Sequence, residues 1–151
     1  LPARALHPHV HGREPGDELG VAGAGAVIKD HAGNTLKKIA KPLGHQTNNF
    51  AEYTAVLVAL EELKKIVPKE KRKAVFVEVK IDSELVARQL SHTYQIKEET
   101  LFPFFIKIRN LKVSEFPNLT FTHIPREKNT EADALSNEAM DMQSSKQSSL
   151  L

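Results

Sequence analysis

Glu52, Asp82 and Asp133 are the carboxylates of this chain whose surroundings suggest chemistry. Each stands at the expected start of a different helix, and acids delivered to one point by separate elements can hold divalent metal ions. Oxygen donors of this kind suit a hard cation such as Mg²⁺. Each acid also has a plain structural reading. Asn49-x-x-Glu52 has the form of a capping box, Thr130-x-x-Asp133 is a looser version of it, and Asp82 or Ser83 can cap the helix that follows. Capping accounts for each acid singly but not for the company all three keep. Thr47-Asn48-Asn49 precedes Glu52, a strand runs directly into Asp82-Ser83, and His123-Ile124-Pro125-Arg126-Glu127-Lys128-Asn129 leads to Asp133.

The elements that must position these acids follow from periodicity. Residues 1–20, with Pro2, Pro8, Pro15 and His7, His9, His11, carry no sustained apolar period. Ala22–Lys29 predicts a strand, Asp30–Asn34 a hairpin turn and Thr35–Ala40 the returning strand, with a polar loop over 44–49. Over 50–66 the recurrence of Ala51, Ala55, Val58, Ala59, Leu63 and Ile66 predicts a helix, stopped by Pro68. Ala74–Ile81 predicts a strand covered on both sides for part of its length, with Phe76 opposite Val75, Val77, Val79 and Ile81. Helices are expected over 83–90, 98–113 (Pro103 tolerable only within its first turn or as a kink) and 130–140, and a strand over 118–124. Hairpin strands followed by alternating strands and helices predict a mixed sheet with helices packed on it.

Composition sets the outer bounds. A chain of 151 residues suits one domain, and 40% apolar with 26% charged residues is ordinary for a soluble globular protein. No apolar run approaches the roughly 20 residues that span a bilayer, and no secretory signal opens the chain. Zero cysteines excludes disulfides and thiolate metal sites and suits a reducing, cytoplasmic setting. At a net charge of +2, any basic surface must be local; Lys64, Lys65, Lys69, Lys71, Arg72 and Lys73 form one. That cluster reads equally as a solvated helix end or as a phosphate contact whose binding would fall with salt.

Between Val21 and Met140 the chain resembles the type I ribonuclease H family and its reverse-transcriptase-associated relatives. The carriers are Gly23-Ala24-Gly25-Ala26, Thr47-Asn48-Asn49-Phe50-Ala51-Glu52-Tyr53, Asp82-Ser83-Glu84-Leu85-Val86, and His123 to Asn129 leading to Glu131-Ala132-Asp133-Ala134-Leu135. The resemblance implies an α/β fold with a five-stranded mixed sheet flanked by helices. It implies one domain over 1–142, in which 1–20 form a degenerate first strand and loop, followed by a disordered tail over 143–151. The activity it implies is cleavage of the RNA strand of RNA–DNA hybrids with two Mg²⁺ or Mn²⁺ ions. Glu52, Asp82 and Asp133 would be three of four metal-binding acids, and Glu52 would also lie near the RNA 2′-hydroxyl. His123 would be the proton shuttle of one branch of the family, or else the end of a strand. Thr47, Asn48, Asn49, Arg126 and Asn129 would contact the nucleic acid or support the site, with little sequence preference. The expected protein is monomeric and has no membrane partner.

The fourth acid is missing. Where the resemblance places it, the chain reads Val10-His11-Gly12, and Pro8 interrupts the strand that should carry it. Three explanations are open: an altered front end from a sequence error or truncated gene, a variant that has lost catalysis and keeps binding, or replacement of the ligand by Glu14, Asp17, Glu18 or His11 itself. Imidazole is a poor Mg²⁺ ligand.

Overall fold

The structure, a computed structural model, describes residues 19–150, with side chains through Gln143. Strand β1 (Gly20–Lys29) turns at Asp30–Asn34 into β2 (Thr35–Gln46), and the two pair antiparallel from Gly20 opposite Gln46 to Lys29 opposite Thr35. The turn is built as the residue types require. Asp30 accepts from the amide of Asn34 at 2.9 Å, and Gly33 takes the left-handed φ of +89° that favours glycine. Helix α1 (Asn48–Ile66) follows, then β3 (Val77–Ile81), α2 (Glu84–Leu90), α3 (Phe102–Ser114), β4 (Leu119–His123) and α4 (Thr130–Leu150). Strands β3 and β4 pair in parallel, Val77 opposite Leu119 and Ile81 opposite His123.

Alternation along β1 sorts its side chains to two faces. Ala26 and Ile28 join the main core with Tyr53, Val56 and Leu60 of α1, Val77, Val79 and Ile81 of β3, Val86 and Leu90 of α2, and Ile108 of α3. Val27 points the other way, into a second cluster with Ala132 of α4. The hairpin is therefore a layer between α4 and the remaining helices, which is the mixed α/β architecture expected. Gly23 and Gly25, on the α4 face, have no side chains, and the helix backbone fills that space. An added Cβ at Gly25 would lie 2.3 Å from the carbonyl oxygen of Ala132.

Several elements differ from expectation. Among the described residues the strands form two two-stranded ladders; the expected first strand, like His11, falls in residues 1–18, outside the described residues. Strand β2 continues to Gln46 because β1 keeps pairing with it, and β3 begins only at Val77, leaving Phe76 71% exposed rather than covered. Helix α3 starts at Phe102, after a 3-10 turn over Glu99–Leu101, because Pro103 fits only a helix's first turn. Helix α4 runs to Leu150 where a disordered tail was expected from Gln143; no proline or glycine follows Met140 to stop it. Gln143 anchors this extension, accepting from the amide of Gly44 at 2.7 Å and donating to the carbonyl of Ala22 at 2.9 Å. No helix among the described residues is long and apolar enough to cross a membrane.

Candidate active site

The parallel pair β3 and β4 ends at one edge, and the candidate residues Asp82 and His123 lie there. Ile81 stands opposite His123, and the amide of Ile124 donates to the Ile81 carbonyl at 2.9 Å, so Asp82 leaves β3 beside exposed His123. Carboxyl ends of parallel strands are where open α/β sheets place their ligands.

Asp82 is not the cap of α2. Ser83 takes that role, its hydroxyl accepting from the amide of Val86 at 3.2 Å. Asp82 instead accepts a 3.0 Å bond from the side-chain amide of Asn129, and the backbone carbonyl of Asn129 accepts from the amide of Asp133 at 3.1 Å. One fully buried asparagine thus ties the end of β3 to the first turn of α4. At that burial the Asn129 side chain holds a carboxylate, which agrees with the supporting one of the two roles the sequence reading left open for it.

Glu52 is likewise no capping residue. The cap of α1 is Thr47, whose hydroxyl accepts from the amide of Phe50 at 3.0 Å, and this sets Glu52 inside the helix, beyond its first turn. Glu52 is 1% exposed. Its neighbour Tyr53 is buried and donates to Gln89 Oε1 at 2.8 Å, while Gln89 Nε2 donates to the carbonyl of Gln95 at 3.2 Å. Because Gln89 lies on the helix that begins just after Asp82, this chain of bonds fixes the element carrying Glu52 against the one led by Asp82. Burial raises the Tyr53 phenol above its ordinary value, and the charges of Glu52 and Glu98 add to the shift. The phenol therefore stays a neutral donor.

The polar loop is partly committed to the fold. Thr47 Oγ1, besides capping, donates to Glu98 at 3.4 Å. Asn48 and Asn49 are half-buried in the first turn of α1, and Arg126 is exposed in a 3-10 turn before α4. The structure joins Asp82 to Asn129 by a side-chain bond and Asn129 to Asp133 by the backbone bond that opens α4, and it sets His123 at the same sheet edge. Sequence reading quoted Tyr53 only as part of a motif and passed over Gln89 and Glu98 as site residues. The one signal was a glutamine in the apolar run of a short helix, next to Leu90.

As a donor set, carboxylates without any thiolate suit Mg²⁺ or Mn²⁺. Among the described residues no group of three or more acids and histidines encloses an ion unaided. Mg²⁺ seldom needs one, since it is usually held by one or two carboxylates together with substrate phosphate oxygens and water. In donor type the residues fit such an ion.

The chain is similar to known proteins over most of its length. A profile of the family described as reverse transcriptase-like matches residues 16–139. The chain is 34% identical over 124 residues to a bifunctional protein of Mycobacterium tuberculosis, covering 81% of this chain and 32% of that one. It is 32% identical over 136 residues to ribonuclease HI of Halobacterium salinarum, covering 90% and 64%. It thus spans about a third of the mycobacterial relative and somewhat under two thirds of the halobacterial one. The crystal structure of LC11-RNase H1, from compost, in complex with an RNA/DNA hybrid superposes with a TM-score of 0.83 at 42% identity, covering 94% of this chain and 97% of that one.

Proposed function

The chain belongs to the reverse transcriptase-like family as a ribonuclease H domain, and on that premise we propose that it is a metal-dependent endonuclease cutting the RNA strand of RNA–DNA hybrids. The observation that carries this reading is the Asp82–Asn129–Asp133 linkage at the carboxyl edge of the parallel strands. It supports two acids distant in sequence acting at one place. LC11-RNase H1, similar over nearly its whole length, is a protein whose structure holds an RNA/DNA hybrid.

Glu52, Asp82 and Asp133 would hold two Mg²⁺ or Mn²⁺ ions. Such ions, when bound, supply Lewis acidity that activates a water and stabilises the leaving 3′ oxygen of an in-line displacement. The protein's own groups do the rest. Asn129 orients one oxygen of Asp82 by its 3.0 Å bond. Burial of Glu52 sets that carboxylate inside α1, where the helix limits its motion. Exposed His123 is free to reach outward and carry a proton between the reacting group and water. Thr47, Asn48, Asn49 and Arg126 would meet the hybrid, chiefly at its backbone and minor groove, where the 2′-hydroxyls lie. The absence of cysteine agrees with action in the cytoplasm, and a monomer suffices for this site.

The alternative, hybrid binding without cleavage, is favoured by one observation: His11 stands where the family's first acid belongs. One experiment decides. Cleavage of a labelled hybrid is measured with Mg²⁺ and with Mn²⁺, beside binding at several salt concentrations. Cleavage by this chain upholds the enzyme. Binding with no cleavage assigns the chain to the binding class, and His11→Asp is then expected to raise activity. Failure to bind hybrid at all would remove both readings.

A further inference from the structure

Well away from the carboxylates, the C-terminal half of α1 and the outer part of α3 leave a cavity of about 600 Å³ between them. Buried Leu57 and half-buried Leu111 supply its apolar part, and Lys64, Lys65, Arg72 and Lys107 its cationic part. Arg72 is consumed by the fold: its guanidinium donates to the carbonyls of Val67 and Lys64 and to Glu115, at 3.0, 2.8 and 3.1 Å, and closes one end of the groove. The lysines are exposed. Lys65 has a side chain 73% exposed despite its 3.2 Å contact with Glu62, Lys64 stands 3.7 Å from Glu115, and Lys107 is exposed.

We infer that this groove docks an acidic segment of a partner protein, one that inserts an apolar side chain against Leu57 and Leu111 and lays carboxylates along Lys64, Lys65 and Lys107. Charge complementarity selects an anion, and the leucines select an anion with something apolar to bury. A phosphodiester backbone offers no such group. The α3 side of the groove, Lys107 to Ser114, measures about 11 Å at 1.5 Å per residue, room for about three residues of extended chain. Roughly a quarter-turn round α3, Ile106 and Val113 are exposed and extend the apolar surface beyond the groove mouth. The site is separate from the proposed chemistry, since Lys64 lies about 18 Å along α1 from Glu52.

The test is fluorescence anisotropy of the whole chain with a fluorescein-labelled peptide of six aspartates flanking two central leucines. Parallel titrations use the same peptide with serine in place of leucine and a single-stranded oligonucleotide of equal charge. Saturable binding is expected, weakened tenfold or more by Lys107→Glu and by Lys65→Glu, weakened by the serine peptide and reduced by salt. Hybrid binding and cleavage should be unchanged in Lys107→Glu, so this result stands apart from the function proposed above. Circular dichroism checks that both surface variants fold, and because the two lie on different helices, one folded variant suffices. The inference is overturned by absence of saturable binding, by equal binding of the serine peptide, by insensitivity to the folded variant, or by an oligonucleotide that binds the groove as well as the peptide does.

Discussion

Replacing Gly25 with alanine separates the packing that positions Asp133 from the chemistry of Asp133 itself. The added Cβ would lie 2.3 Å from Ala132 O, 2.6 Å from Ser136 N and 3.1 Å from Leu135 C. Ordinary contact begins near 3.4 Å, so the closest approach is short by about 1 Å. All three obstructing atoms are helix backbone, so no side chain can rotate aside and α4 must shift as a body. Overpacking of this kind costs about 1–3 kcal/mol. At about 2–4 °C per kcal/mol, the melting temperature should fall by roughly 2–12 °C. A helix displaced by about 1 Å carries Asp133 with it, and a misplacement of that size costs up to about 10²-fold in rate. The assay pairs thermal unfolding with single-turnover cleavage of a hybrid below the melting temperature. Gly25→Ala is expected to lower both stability and rate while leaving hybrid affinity within about threefold, since the polar loop lies on another element. A variant melting within about 1 °C of the parent would refute the close approach. Lost stability with an unchanged rate would refute the claim that α4 sets the position of Asp133.

Asn129→Ala removes the side-chain donor to Asp82, and hydrogen bonds to charged groups are worth about 1.5–3 kcal/mol; a Mg²⁺ titration of cleavage should show its midpoint moved upward by about tenfold or more. Spectrophotometric titration should show the Tyr53 phenol ionising well above the ordinary tyrosine range, because burial raises it and the charges of Glu52 and Glu98 add to the shift. The sign follows: the unfolded phenol loses its proton first, so stability drops as pH rises above about 10, and Tyr53→Phe should flatten that drop. The Arg72 guanidinium holds Glu115 below its usual range. Its contribution is therefore present above the ordinary carboxylate pKa and lost as pH falls through the lowered one, so in urea unfolding across pH 2–6 Glu115→Gln should be less stable than the parent at pH 6 and converge on it toward pH 2.

What the sequence disclosed depended on how local the determining physics is. Asp30–Asn34 was readable because a turn needs only its own residues. The apolar spacing of α1 was readable because one helix face must meet the core. Helix starts were harder. Thr47 and Asn49 can both cap, and only the accepted bond from Phe50 chooses Thr47 and places Glu52 inside the helix. Phe76 looked like a covered strand residue, but coverage is decided by neighbours distant in sequence, and none reaches it. Asn129 was recognised by its motif, while its buried bond to Asp82 spans 47 residues and could not be seen in one dimension. For the same reason Gly23 and Gly25 read as strand residues, with no hint that a helix backbone lies against them.

The Tyr53–Gln89–Gln95 relay has one further consequence. Rotating α2 by a single residue would swing Gln89 about 100° away and leave a phenol group stranded in a dry interior with nothing to receive its proton. Misaligned packings of the two helices, though equally greasy, are thus penalised by one thirsty hydroxyl. The polar pair acts as a key cut for a single alignment.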